Sequence, residues 1–205
     1  MRECIIFGSA EIKDYSSVKV DEDAYIIAAD GGLCHTNVLG LRPDILIGDF
    51  DSLNAELPSD CKIITSPAEK DDTDMMLAVK TALQNGYRSI TIYGGTGGRL
   101  DHTFANIQTL EYVLSHGAEG KIIGDKDIIY IQSAGQKEYK CIPNSYFSIF
   151  SLTESVTVTT TGTKYNLTDY NLTRSFPLGV SNIIINEYCK VEVKTGILLI
   201  IFSKE

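Results

Sequence analysis

Short β-branched runs, ECIIFG, AYIIAAD, DILIGD, CKIIT and SITIYGG, punctuate the chain up to about residue 125, and stretches with helical spacing near 32–40, 72–85 and 101–116 lie among them. Parallel strands cannot be joined by a tight turn and need a crossover segment, so this alternation predicts an α/β layer built on a parallel sheet. The last helical stretch starts at Leu100. It sets Phe104, Ile107, Leu110 or Glu111, and Leu114 at spacings of three and four, with Gly117 as a stop, and its apolar face is expected on the sheet.

From about residue 126 the rhythm changes. The runs DIIYIQ, EYKCIP, YFSIFSL, SVTVTT, NIIIN, KVEVK and GILLIIF follow one another through Gly, Asn, Pro and Ser turns with no helical stretch between them. That pattern predicts an all-β half, a sandwich or a barrel. The boundary is placed at Gly124-Asp125-Lys126, giving domains 1–125 and 126–205. With 205 residues, 43% of them hydrophobic, the chain can bury a sizeable core.

Charge and cysteine content exclude several classes of partner. A net charge of −9 argues against nucleic acid, whose binding is driven by Lys and Arg displacing counterions. No stretch reaches the roughly 18 apolar residues of a membrane span, and the N-terminal apolar run is too short for a signal peptide, so no membrane role is expected. Five cysteines, Cys4, Cys34, Cys61, Cys141 and Cys189, are odd in number and lack any CxxC pair. They read as buried, reduced thiols of a cytoplasmic protein.

Polar clusters close the predicted strands. Asp30-Gly31-Gly32 follows AYIIAA, Gly48-Asp49-Phe50-Asp51-Ser52 follows DILI, Lys70-Asp71-Asp72-Thr73-Asp74 follows CKIIT and opens a helix, and GGTGGRLDH follows SITIY. In an open parallel sheet ligands bind along the carboxyl edge, so four clusters far apart in sequence converge on one crevice. Each has a local alternative: Asp30 as a turn residue, Asp71 or Asp72 and Asp101 as helix-capping acids. Acids crowded on one edge nevertheless repel one another unless a cation compensates, and an oxygen-only set suits Mg²⁺.

The loop GGTGGRLDHTFAN, residues 94–106, is either a phosphate cradle or a flexible connection. It is neither a Walker A loop, which ends in GK[ST], nor a dinucleotide fingerprint, because Arg99 and Leu100 stand where a third glycine belongs. Taken with the other clusters it supplies Gly95, Gly97, Gly98 and Arg99 for phosphate oxygens. Lys70 is a second cation, and Asp30, Gly31, Asp71 and Thr73 are further nucleotide-side candidates. His102 serves either a ligand or the helix start. The equipment is that of phosphoryl-type transfer.

The ordered motifs PDILIGDFDS, KDDTDMMLA and GGTGGRLDHTFAN, followed by GTKYNL and SN in a β-rich second half, resemble those of the thiamine pyrophosphokinase family over nearly the whole chain. The resemblance implies an N-terminal α/β domain with an ATP and Mg²⁺ site, and a C-terminal β-sandwich that completes a thiamine pocket across a homodimer interface. It implies transfer of a pyrophosphoryl group from ATP to the thiamine hydroxyl with release of AMP. By motif, Asp49, Asp51 and Asp74 resemble the family's Mg²⁺-phosphate acids, Arg99 and Asp101 its phosphate-side pair, and Ser181 and Asn182 the residues that meet thiamine. Asp74 or Asp101 is the candidate proton acceptor.

One departure stands out: some members place a Trp near the thiamine ring in the last strands, whereas this chain has none and reads GILLIIF there. Two rival functions use the same acids. A haloacid-dehalogenase-like phosphatase would employ Asp49 and Asp51, but Leu53 stands where that motif needs Thr or Val, and the arginine loop would go unexplained. A nucleotide or metal sensor would bind without turnover.

Overall fold

The computed structural model describes residues 2–49, 61–65 and 72–205. The chain divides into two compact units, Met1–Asp125 and Lys126–Glu205.

The first unit is α/β. Its elements in order are β1 (Glu3–Phe7), β2 (Tyr25–Ala29), α1 (Gly32–Val38), β3 (Ile45–Gly48), β4 (Lys62–Thr65), α2 (Asp74–Gln84), β5 (Ser89–Tyr93), α3 (Leu100–Ser115) and β6 (Glu119–Ile123). The strands lie in the order β4-β3-β2-β1-β5-β6, and every pairing among them is parallel. Cys4, Ile5, Ile6, Phe7 and Ile27 are fully buried, as strands covered on both faces require.

One strand carries little sequence signal and one expectation fails here, each for an identifiable reason. Strand β6, EGKII, has charged residues within it and lacks the uniform β-branched signal; its pairing with β5 makes it a strand. The buried face of α3 is Asn106, Thr109, Leu110 and Val113, while Phe104 is 56% exposed. Gly120 of β6 decides this rotation, because a Cβ there would sit 2.9 Å from Leu110 Cδ2 and 3.3 Å from Val113 Cγ1. The helix approaches where a side chain is missing.

The second unit is all β and antiparallel. It comprises β7 (Asp127–Gln132), β8 (Gly135–Lys140), β9 (Ser145–Ser151), β10 (Ser155–Thr161), β11 (Leu167–Thr173), β12 (Tyr188–Thr195) and β13 (Leu198–Lys204). Strands β7, β13 and β9 run side by side, and a four-stranded sheet has the order β11-β10-β12-β8. Both sets contribute to one core that includes Phe147, Val158, Leu172, Val191 and Phe202, the arrangement of a sandwich. Strand β12 alternates strictly, with Cys189, Val191 and Val193 inside.

The run NIIIN, expected as a strand, makes only two isolated bridges, Phe147 with Asn182 and Thr163 with Ile184. Only Ile184 of its isoleucines is buried. Conversely LTDYNLT, with no apolar alternation, forms β11 by pairing with β10. Cys4 and Cys189 are buried as expected, but Cys34 on α1 is exposed, and Cys61 and Cys141 are half-buried; all five are free thiols. Among the described residues no helix is long and apolar enough to cross a membrane.

Gly32, the first residue of α1, marks a close approach of helix to sheet: a Cβ there would lie 2.0 Å from the Phe7 carbonyl oxygen. Helix propensity alone favours Gly32→Ala by about 1 kcal/mol. The contact reverses the sign, and we expect a loss of about 1–3 kcal/mol, the usual cost of overpacking, read from denaturant midpoints.

Candidate active site

Strand order sets the place. Beside β1 lie β2, β3 and β4 on one side and β5 and β6 on the other. Chain leaving β1, β2 and β5 therefore reaches the same part of the carboxyl edge, where ligands bind in an open parallel sheet. A cavity of about 540 Å³ occupies that position, well within the size range of ligand sites.

Bare backbone forms one wall. Gly8, Ser9 and Ala10 after β1 face Gly94 and Gly95 after β5. The Gly8 N–H donates to Tyr93 O at 2.8 Å and the Ala10 N–H to Gly94 O at 3.0 Å. Gly94 has φ +64°, and a Cβ on it would stand 2.5 Å from the Gly8 carbonyl oxygen, so both conformation and contact demand glycine. The Asn106 amide, buried at the base of α3, donates to Gly95 O at 2.8 Å and fixes the loop from beneath.

Two helix N-termini meet the same cavity. At α2, Thr73 caps with its hydroxyl oxygen accepting from the Met76 N–H at 3.1 Å, and Thr73, Asp74 and Met75 line the wall. At α3, Arg99 holds the cap position without a side-chain bond, and Arg99, Asp101, His102 and Thr103 line the opposite side. The partial positive charge at each terminus favours an anion.

Arg99 already grips one. Its Nε donates to Asp101 Oδ1 at 3.1 Å and its terminal nitrogen to Oδ2 at 2.5 Å, both side chains being largely exposed. The guanidinium holds the Asp101 carboxyl below the usual carboxylate range, helped by the His102 N–H at 3.0 Å. A bidentate fork satisfied by an internal acid suits phosphate equally well.

The remaining expected residues divide clearly. Asp30 lines the cavity with φ +49°, its carboxylate accepting from the Ser9 hydroxyl at 3.0 Å. Gly98 lines it too, whereas Gly31 and Gly97 do not. Asp49 is exposed at the end of β3, outside the cavity wall. Asp51, Lys70 and Asp71 lie outside the described residues. Asp72, weighed as a helix cap, instead pairs with Lys80 at 2.6 and 2.8 Å. Ser181 and Asn182 belong to the second unit.

Among the described residues no three His, Cys, Asp or Glu side chains form a ready metal cage. Asp30, Asp74 and Asp101 are nevertheless carboxylates on the cavity wall, and Mg²⁺ needs only one or two from protein when phosphates and water complete its shell. The donor set fits that ion.

The sequence did not mark Ser9, Ala10, Asn106 or His35. Small residues after the first strand were the available signal, but nothing in the sequence says that β1 neighbours β5. His35 is buried on α1, and its Nε2 lies 2.9 Å from Ala10 O while Nδ1 lies 2.7 Å from the Tyr15 hydroxyl. A carbonyl can only accept, so Nε2 carries the proton and Tyr15 donates to Nδ1. The neutral ring thus braces Ala10 on the cavity wall.

The chain matches known proteins over most of its length. Residues 18–123 match the family model described as thiamin pyrophosphokinase, catalytic domain, and residues 129–198 that described as thiamin pyrophosphokinase, vitamin B1 binding domain. The chain is 30% identical over 192 residues to thiamine pyrophosphokinase of Bacillus subtilis (strain 168), with 90% of each chain covered. The crystal structure of thiamine pyrophosphokinase from Bacillus subtilis superposes with a TM-score of 0.91 at 27% identity and 100% coverage of both chains. That of thiamin pyrophosphokinase from Geobacillus thermodenitrificans gives 0.88 at 29% identity, covering 99% of this chain and 98% of the other.

Burial lowers the His35 pKa from its ordinary 6.5. Below that value the unfolded chain binds more protons than the folded one, so the His35 contribution to stability is complete above pH 6.5 and is lost as pH falls through it towards the lower folded value. We expect His35→Gln to flatten the fall of the unfolding temperature between about pH 7 and about pH 5 relative to the parent chain, carboxylate contributions being common to both.

Proposed function

Because the chain belongs to the thiamine pyrophosphokinase family, we infer that it is an enzyme that transfers a pyrophosphoryl group from ATP to the hydroxyl of thiamine, giving thiamine diphosphate and AMP. The observation that carries this is the pair of family matches in chain order, one over the α/β unit and one over the all-β unit. A phosphatase or a sensor would have no use for the second. Both rivals are set aside.

The residue roles combine the cavity with the family motifs. We propose that the triphosphate lies between the N-termini of α2 and α3, with Gly94, Gly95, Gly98 and Thr73 offering backbone or hydroxyl donors and Arg99 gripping phosphoryl oxygens. Asp30, Gly31, Gly97, His102, Lys70 and Asp71 complete the nucleotide side of the proposal. Asp49, Asp51 and Asp74 would hold Mg²⁺. Bound there, the ion would neutralise charge on the triphosphate.

We propose that Arg99 turns from Asp101 to a phosphate. While the fork is closed Asp101 is a poor proton acceptor, since its conjugate acid is unusually strong. Turning Arg99 to the phosphate would release that carboxylate and raise its basicity. Asp101 or Asp74 then takes the hydroxyl proton of thiamine, with Ser181 and Asn182 on the thiamine side. Free thiols and a strongly acidic surface support a cytoplasmic protein.

The test of function is AMP release from ATP. It should require both thiamine and a divalent ion, and inorganic phosphate should not accumulate. AMP formed equally without thiamine, or full turnover in excess EDTA, would sink the assignment.

We further propose a homodimer with composite sites, acids and Arg99 from one protomer meeting Ser181 and Asn182 from its partner. A twofold interface repeats each contact and so holds two such sites. Asp49→Asn, and Ser181→Ala combined with Asn182→Ala, should each be inactive, and activity should return when the two are mixed under subunit exchange. Demonstrated exchange without recovery would place each site within one chain.

A further inference from the structure

Both backbone groups of Ala10, on the cavity wall, are taken by protein partners. Its N–H donates to Gly94 O at 3.0 Å, and its carbonyl accepts from His35 Nε2 at 2.9 Å. Behind the imidazole stands the Tyr15 hydroxyl, 2.7 Å from Nδ1. A continuous relay therefore runs from Tyr15 through His35 and Ala10 to Gly94, each donor facing one acceptor. His35 is 6% exposed, and a neutral ring so buried needs one acceptor and one donor. It finds the first in a residue of the cavity wall and the second in a hydroxyl that dictates which nitrogen carries the proton.

The relay ends on a glycine peptide, where the chain itself constrains orientation least. Gly94 has φ +64° and Gly95 follows directly. Without Cβ atoms, such a peptide can rotate to aim its carbonyl and its N–H either way. The Gly94 carbonyl is pinned towards Ala10, and across a trans peptide the Gly95 N–H points the opposite way. The Asn106 amide pins the next carbonyl, that of Gly95, at 2.8 Å, which turns the Thr96 N–H away from the base of α3. Two carbonyls are thus held back by protein donors, and the N–H groups opposite them are the kind a phosphate needs.

The segment that carries Tyr15 is itself tied down. The Asp125 carboxylate accepts from the Lys13 N–H at 3.1 Å and the Asp14 N–H at 3.3 Å, the Asp14 carboxylate accepts from the Ser16 N–H at 2.9 Å, and the Tyr93 hydroxyl accepts from the Lys19 N–H at 3.1 Å. Tyr15 is therefore a fixed donor. We propose that His35 and Tyr15 are positioning residues for the nucleotide: through Ala10 they hold the Gly94–Gly95 peptide with its N–H available to a phosphoryl oxygen, although neither side chain lies on the cavity wall. Donors oriented in advance bind an anion without the cost of ordering the loop at that moment.

The proposal rests on the nucleotide site inferred above, and calorimetric titration of the full chain with ATP and Mg²⁺, without thiamine, tests it. His35→Leu keeps apolar bulk but removes donor and acceptor, and should raise the Kd for ATP roughly tenfold. Tyr15→Phe, which removes only the hydroxyl, should raise it severalfold. His35→Gln, whose amide can donate to Ala10 and accept from Tyr15, should restore most of the affinity. Because Tyr15 acts only through His35, adding Tyr15→Phe to His35→Leu should cost nothing further. The KM for thiamine should keep its parent value throughout. A lowered unfolding temperature with an unchanged Kd in His35→Leu and Tyr15→Phe would overturn the proposal, since the relay would then serve stability alone; additive losses in the double variant would overturn it too. If His35→Leu does not fold, Tyr15→Phe decides by itself. A parent chain that binds ATP yet releases no AMP with thiamine would sink the function reading, and the Kd series would still decide the relay. A parent chain that binds no ATP sinks both.

Discussion

Two strand ends must touch without side chains for the first unit to work. Gly94 leaves β5 with φ +64° directly against the Gly8 carbonyl of β1, and the Ala10 N–H reaches back to Gly94 O. That contact joins the strands on either side of the switch point. Everything on the cavity wall is placed relative to it: Arg99 follows at the start of α3, Asp30 answers across Ser9, and Met75 packs beside Gly8. A side chain at Gly94 would have to push the two loops apart, and the anion-sized space between the helix N-termini would change with them.

Charge management gives the site its chemistry. A chain of net charge −9 has to bind a highly anionic substrate. Under the proposed function it would do so with local positive potential from two helix termini and with an arginine held on Asp101. The closed fork holds the Asp101 carboxyl below the usual carboxylate range. Under the proposed function, one exchange of partner for Arg99 would both engage phosphate and free a base.

In the second unit the device is different: an irregular segment is ordered by side-chain amides and hydroxyls rather than by a ladder. Residues 181–185 make two bridges only, yet Asn182, Thr163 and Ser148 satisfy their backbone polar groups and those of Tyr165. Polar groups that would otherwise be left without partners at the edge of the core are thereby paired. An exposed ring on a fixed backbone is the outcome.

The amino-acid sequence by itself determined the α/β then all-β succession, because crossover helices and tight turns leave different periods in hydrophobicity. It also marked Asp74, Arg99 and Asp101, which line the cavity, and the family to which the chain belongs, because those motifs are short and contiguous. Strand β6, strand β11 and the outward face of NIIIN were not legible. A strand with Glu119 and Lys121 in it, or a polar one such as LTDYNLT, exists only because a neighbour pairs with it, and that neighbour is distant in sequence. The same limit hid His35 behind Ala10 and the grip of Asn182 on Tyr165. Local spacing shows which side chains can reach a crevice. Only the tertiary structure decides which are already held by something else, because hydrogen-bond partners are chosen across the fold and not along the chain.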